Sequence, residues 1–138
     1  MAQRIRKVNY CYINVAARAG HGAKVLDELK DAGINLLAFT GFPTVGGKAQ
    51  LDLVADKMAP IRKVAKNNGW RVSKAKKGFL VQGDDTVGAC LRPLQKLADQ
   101  KINVVATNGI AAGKGRFGMI LWVKPKDYRR AANVLNAK

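Results

Sequence analysis

The chain has 138 residues, of which 48% are apolar, so it can bury a packed core and is not expected to be disordered. Its 25 Lys and Arg residues outnumber its 9 Asp and Glu residues, and the formal net charge of +16 favours anionic partners. Two cysteines and one histidine exclude a disulfide framework and most metal sites, and no apolar run is long enough to span a membrane. The N-terminus lacks an apolar signal core. We therefore expect a cytoplasmic protein without metal, cofactor or membrane association.

An internal repeat organises the chain. When the sequence is shifted along itself so that Gly20 meets Gly88, it matches without gaps at twelve identical pairs, more than ordinary composition produces by chance. The same shift pairs Asn35 with Asn103. We therefore predict two copies of one unit, residues 1–75 and 76–138.

The first copy is predicted to fold as β-α-β-β-α with one further strand. Apolar residues at helical spacing mark a first helix around Val25 and Leu29 and a second around Ile61 and Val64. A glycine-rich link at residues 45–47 suits a hairpin turn. The predicted strands are residues 8–16, 34–42, 48–55 and 70–74.

The second copy repeats this order but lacks the last strand. Its predicted strands are residues 77–83, 102–110 and 116–123, and the repeat offset places Trp70 opposite Lys138, the last residue. An unpaired sheet edge invites another strand. We predict that residues 4–7, or a strand of a partner molecule, cover this edge. The predicted apolar helix faces are Leu91, Leu94, Leu97 and Ala98, then Tyr128, Ala131, Ala132 and Leu135.

The element order predicts the fold class. A βαββαβ order is the ferredoxin-like split βαβ motif, in which an antiparallel sheet carries both helices on one face. We therefore predict an α+β protein made of two ferredoxin-like units in tandem.

This arrangement resembles the ACT domain family. The resemblance rests on a glycine at the first turn, an amphipathic helix and a Gly-Ile-Asn-type entry to the second strand. Residues 19–22, 25–29 and 32–36 carry it in the first copy, and residues 85–88, 94–97 and 101–104 carry it in the second. The resemblance implies a non-catalytic regulatory protein that binds an amino acid or similar small metabolite between paired domains. It also implies a homo-oligomer, with a dimer expected, that acts on a regulated enzyme.

The resemblance also implies a ligand site at the loop between the first strand and first helix of each unit. Backbone N–H groups at a helix N-terminus bind carboxylates, glycine permits close approach, and an acidic residue can receive an ammonium group. The family pattern of Asp followed after two residues by Gly is present in the second copy, whereas the first copy has Ala17 in the Asp position. The candidate ligand-binding residues are Asp85, Thr86, Val87, Gly88, Asn103, Gly20, His21 and Asn35.

These candidates also have purely structural interpretations. Gly20 and Gly88 could serve only a tight turn, and Asp85 could be a helix N-cap. Asn35 and Asn103 could satisfy local backbone groups. His21 could be an ordinary surface residue.

The positive charge supports an alternative function, a basic ferredoxin-like module that binds nucleic acid electrostatically. Residues 114–122 faintly resemble the third-strand signature of RNA-recognition motifs. However, Phe117 and Trp122 are five residues apart and would point to opposite faces of a regular strand. Any contact with nucleic acid would therefore be unspecific. The candidate residues for it are Arg62, Lys63, Lys66, Arg129 and Arg130.

An enzymatic function has no support in the sequence. It contains no Ser-His-Asp, Cys-His, paired-carboxylate or phosphate-loop constellation. The glycine-lysine fragments at residues 46–48 and 113–115 lie in predicted hairpin turns. We therefore assign no catalytic residue.

Overall fold

The structure, a computed structural model, describes residues 3–138. It is an α+β fold, as the sequence predicts, and has six strands and four helices, one strand fewer than the seven predicted. In chain order the elements are β1 (Arg4–Ala16), α1 (His21–Asp31), β2 (Ala38–Thr44), β3 (Lys48–Ala55), α2 (Ala59–Asn67), β4 (Lys76–Asp84), α3 (Leu91–Asp99), β5 (Val104–Gly113), β6 (Arg116–Val123) and α4 (Tyr128–Leu135), the last preceded by a 3-10 turn at Pro125–Asp127. Strand β3 pairs antiparallel with β1 and β2, and β6 pairs antiparallel with β4 and β5.

The chain divides into two compact units. The first unit is Asn9–Lys76, and the second unit combines the chain up to Val8 with Lys77–Lys138. Strands are hydrogen-bonded in the order β2-β3-β1 in the first unit and β1-β4-β6-β5 in the second, so β1 contributes to both. The predicted division into residues 1–75 and 76–138 assigns the N-terminal residues differently and stays a prediction.

Strand pairing recurs at the offset seen in the sequence. Ile13 lies opposite Leu51 on β3, and at the equivalent positions of the second copy Val81 lies opposite Met119 on β6. Gly41 on β2 lies opposite the same Leu51, as Gly109 on β5 lies opposite Met119. The two halves of the sequence therefore set the same strand register.

The core of the first unit lies between its sheet and its two helices. Cys11 and Ile13 of β1 are fully buried with Leu53 of β3. Helix α1 contributes Val25 and Leu29, whereas α2 contributes the predicted face Ile61, Val64 and Ala65. Burial raises the pKa of the Cys11 thiol to about 11. The helices thus cover one face of the sheet.

The second unit has a separate core of the same design. Phe79 and Val81 of β4 are fully buried with Leu121 of β6. The Phe79 ring stacks on Tyr128 of α4, with ring centroids 4.9 Å apart and an interplanar angle of 12°. Leu97 of α3 closes this core. Leu91, which the helical pattern assigned to the apolar face, is instead 59% exposed at the start of α3.

The N-terminal segment of β1 completes the second unit. Ile5 is buried in the core that contains Phe79. Its carbonyl accepts a hydrogen bond from the Lys138 N–H at 3.0 Å, and the Gln3 amide donates to the Ala89 carbonyl at 2.7 Å. Because β1 neighbours β4 in the sheet, the N-terminal strand occupies the edge that the sequence leaves without a partner.

The predicted fourth strand of the first unit is reduced to one bridge, between Ile13 and Val72. The Ser73 side chain explains this departure, because its hydroxyl accepts the Tyr12 N–H at 2.9 Å where a ladder would use a backbone carbonyl. The Ser73 N–H donates to the Tyr12 carbonyl at 3.0 Å. Residues 70–74 therefore follow β1 without forming a regular strand.

Strand β2 begins later than predicted, at Ala38 and not at residue 34. The Ile34 N–H is still bonded to the Leu29 carbonyl of α1 at 3.0 Å. The same bond joins Ile102 to Leu97 in the second unit at 2.9 Å, where β5 begins at Val104. The Gly-Ile-Asn entry thus ends the helix before the strand starts.

Candidate functional site

The loop between β4 and α3 holds four of the predicted ligand-binding residues. Its base is fixed by an ion pair between Asp84 and Arg116 at 2.9 Å and by a 2.9 Å hydrogen bond from the Asp85 N–H to the Gly115 carbonyl. Gly88 has a φ of 82°, a conformation that favours glycine. Asp85, Thr86, Val87 and Gly88 are all exposed.

An equivalent loop joins β1 to α1 in the first unit. The Ala17 N–H donates to the Gly47 carbonyl at 2.8 Å, and this bond is the first-copy equivalent of the Asp85 bond. Gly20 has a φ of 88° and occupies the N-cap position of α1. A Cβ added at Gly20 or Gly88 would meet no atom within 4 Å, so the backbone conformation, and not crowding, requires glycine at both. Both loops therefore have an uncrowded glycine in the left-handed conformation just before the helix.

Neither helix that follows these loops is capped by a side chain. The N-cap of α3 is Cys90, with no side-chain cap hydrogen bond, so interpreting Asp85 as an N-cap is wrong. The N–H of Leu91, the first residue of α3, donates instead to the backbone carbonyl of Gly88 at 3.0 Å. Thr86 accepts a long 3.5 Å hydrogen bond from the Arg92 guanidinium. The Asp85 carboxylate is thus exposed beside Val87 and Gly88, whose N–H groups have no hydrogen-bond partner among residues 3–138. Such N–H groups suit anionic groups.

The remaining candidates lie at element boundaries. His21 is the first residue of α1, and Asn103 directly precedes β5. Asn35 lies in the segment before β2, three residues ahead of Ala38. All three side chains are exposed. Within residues 3–138 neither asparagine amide forms a hydrogen bond, so the local backbone role considered for Asn35 and Asn103 is not observed.

The five basic residues of the alternative function fall into two groups. Arg62 donates to the Ser73 carbonyl at 3.1 Å, and its repeat partner Arg130 donates to the Gln100 carbonyl at 3.0 Å. These two arginines therefore stabilise the fold. Lys63, Lys66 and Arg129 are exposed.

Sequence reasoning missed a buried carboxylate on β3. Asp52 is only 6% exposed and accepts a 2.9 Å hydrogen bond from the Gln50 amide. Burial raises the pKa of Asp52 above its usual value, while the Gln50 hydrogen bond and the nearby Lys76 ammonium oppose the shift. Tyr10 lies close by, and burial together with Asp52 raises its pKa to about 12. The signal in the sequence was an acidic residue inside the apolar run 51–55.

Asp52→Asn is expected to change how stability depends on pH. Since the folded carboxyl holds its proton more tightly than the unfolded one, the free energy of unfolding should fall as pH rises from the unfolded to the folded pKa. Asparagine keeps the acceptor for Gln50 and removes the charge, so this fall should disappear and stability at pH 7 should match or exceed wild type. Urea unfolding between pH 4 and pH 7 measures the free energy of unfolding at each pH. The control is Asp31→Asn, which changes an exposed carboxylate. An unchanged pH profile in the Asp52 variant would contradict the assignment.

A groove of about 600 Å³ lies beside α3 in the second unit. Leu91 and Ile5 give it apolar walls, and Arg92, Lys96 and Asp99 give it charged ones. The loop residues Asp85–Gly88 do not line it. It is therefore a separate surface feature that the sequence did not suggest.

Among residues 3–138, no group of three or more His, Cys, Asp or Glu side chains could hold a metal ion. No described helix is both long and apolar enough to span a bilayer.

The likeness to known proteins rests on structure. No family model matches the sequence, and no curated protein is similar to it. The crystal structure of protein BT0572 from Bacteroides thetaiotaomicron has a TM-score of 0.79 at 16% identity, covering 97% of this chain and 88% of that one. The ligand-free regulatory subunit of aspartate kinase from Thermus thermophilus has a TM-score of 0.66 at 14% identity, covering 98% and 93%. The regulatory subunit from Thermus flavus has a TM-score of 0.60 at 17% identity, covering 98% and 94%.

The chain has an ACT-type fold. The resemblance seen in the sequence is thereby confirmed at the level of the fold. At identities below one fifth, the likeness of this chain to the aspartate kinase subunits shows the fold and says nothing about ligand or reaction.

Proposed function

We propose that this protein is a non-catalytic regulatory protein that binds an amino acid or a similar small metabolite. It would consist of two ACT-like ferredoxin units in tandem, dividing near residue 76, with the second unit completed by the N-terminal strand. The loop Asp85–Gly88 is the principal ligand site. Asn103 lies outside it, because the opposite end of β5, at Gly113, is the end level with Asp84: both pair with Arg116. The corresponding first-unit residues Gly20 and His21 form a second, weaker site because Ala17 replaces the acidic residue. Asn35 lies outside it, because the end of β2 that is level with Ala16 is Thr44: both pair with Lys48.

One observation carries this proposal: the same loop is built twice, each time with a left-handed glycine before a helix without a side-chain cap. The exposed N–H groups suit the carboxylate of an amino acid, and the Asp85 carboxylate suits its ammonium group. The regulatory subunits that share the fold support a regulatory role. We propose further that the chain forms a homodimer in the cytoplasm and passes the signal to a partner enzyme.

The test is a thermal-shift screen of the full chain with the twenty amino acids. A ligand that binds only the folded state adds about 2.7 kcal/mol at a hundred times its Kd, so at least one amino acid should raise Tm in a saturable way. Asp85→Ala should reduce that shift by weakening the ammonium contact. Its matched control is Asp99→Ala, which removes a carboxylate from the groove beside α3.

The outcomes separate the candidate sites. A shift lost in Asp85→Ala and kept in Asp99→Ala supports the loop. The reverse pattern would move the ligand to the groove, and no shift with any amino acid would reject the proposed function.

A further inference from the structure

The stretch from Lys57 to Gly83 carries eight basic residues and no acidic one. Within it, four exposed cations of the first unit lie on α2 and in residues 68–75, which connect α2 to β4. We call them the basic surface: Lys63, Lys66, Arg71 and Lys74.

The fold holds these cations on one continuous stretch of structure. Helix α2 buries its apolar face, so its outer face is left with lysines. The Arg62 guanidinium, one turn before Lys66, donates to the carbonyl of Ser73, the residue before Lys74, at 3.1 Å. The Trp70 N–H donates to the Ala65 carbonyl at 2.8 Å. The segment that carries Arg71 and Lys74 is thereby attached to the helix that carries the lysines.

On the other helix of the same unit, α1, the lysines form ion pairs with carboxylates. On α1 the Lys24 ammonium lies 3.9 Å from the Glu28 carboxylate, and Lys30 lies 3.3 Å from Asp27. In the part of the chain that the structure describes, the basic surface has no such ion pair. Like charges three or four residues apart repel each other, and no carboxylate here offsets that cost. An external anion with closely spaced charges would offset it.

We propose that the basic surface binds the phosphate backbone of a nucleic acid, independently of sequence. Each phosphate contact releases condensed counterions, which drives binding and makes it salt-dependent. An anionic membrane fits less well, because the large apolar side chains that are exposed all lie outside residues 57–76 and none could anchor this surface in lipid. Base stacking on the RNA-recognition-like signature is not expected, since its aromatic residues Phe117 and Trp122 are both buried.

The test is fluorescence anisotropy of the full chain with a labelled mixed-sequence 20-mer duplex between 50 and 200 mM KCl. Four phosphate contacts predict a slope of log K against log salt of about −3.6, or a loss of affinity of roughly a hundredfold over this range. The double variant Lys63→Gln/Lys66→Gln should lower the magnitude of the slope by about 2, so that its affinity falls only about tenfold over this range. The matched control is Lys24→Gln/Lys30→Gln, which also removes two positive charges, but from α1, where both lysines are ion-paired.

Both double variants change only exposed side chains, so both should fold, and circular dichroism verifies this. A slope that is reduced in the α2 variant and unchanged in the α1 variant supports the basic surface. Equal losses in the two variants would mean that only net charge matters, and salt-insensitive or undetectable binding would overturn the proposal. Tighter binding to phosphatidylserine vesicles than to the duplex would also overturn it, in favour of a membrane. None of these readouts depends on an amino acid ligand.

Discussion

Phe79→Ala is expected to lower the free energy of unfolding by about 3–5 kcal/mol. The Phe79 side chain is fully buried in the core of the second unit and stacks on Tyr128 at 4.9 Å. Truncation removes the transfer free energy of the ring and leaves a cavity between β4 and α4, which a close-packed core fills only in part. Since small domains are stable by only about 5–15 kcal/mol, this loss should be visible as a large fall in the urea midpoint.

Two controls distinguish a core effect from the loss of any aromatic ring. Phe42→Ala removes a ring that is 40% exposed on the edge strand β2 and should cost about 1 kcal/mol or less. Cys11→Ala changes the position that corresponds to Phe79 in the first unit, where a smaller side chain is buried. A cost below about 1 kcal/mol for Phe79→Ala would contradict the structure of this core.

Ile5→Ala is expected to cost about 2–5 kcal/mol, although it lies near the N-terminus, where truncated side chains are usually tolerated. Ile5 is 6% exposed and packs in the core of the second unit, and its carbonyl accepts the Lys138 N–H. Urea unfolding measures the loss, and the exposed neighbour Arg4→Ala should change stability by about 0.5 kcal/mol or less.

The strands that Ile5→Ala destabilises are as informative as the size of the loss in the free energy of unfolding. Because residues up to Val8 belong to the second unit, amide exchange should accelerate first in β4 and its neighbour β6. Faster exchange confined to β2 and β3 would contradict the assignment of this segment. Equal costs for Ile5→Ala and Arg4→Ala would do the same.

The helices were predictable because their signal is local. The apolar residues Ile61, Val64 and Ala65 recur at the period of an α-helix, and all three are buried on α2. The prediction for α3 was less accurate at its first residue, since Leu91 fits the same period but borders an open groove. Helical periodicity indicates which side of a helix is apolar, but not how far the neighbouring elements cover it.

The candidate site was only partly predictable, because local sequence signals do not show what the neighbouring elements cover. A glycine after the first strand of each copy predicted the left-handed turns at Gly20 and Gly88, because few other residues adopt that conformation. The role of Asp85 required the structure, which gives the N-cap position to Cys90 and leaves the carboxylate exposed. Asp52 was missed because burial of a carboxylate on a strand depends on what lies over that strand.

The sequence by itself determined the repeat and the type of every element except residues 70–74. The strand register in the structure recurs from one copy to the other because equivalent residues occupy equivalent positions. Only the tertiary structure decided how the incomplete second copy is closed, which arginines are engaged in the fold and which cations are left unpaired. These features depend on contacts between residues far apart in the chain, such as Lys138 with Ile5. Their free energy comes from burial and hydrogen bonding in the folded state, and no periodicity in the sequence encodes it.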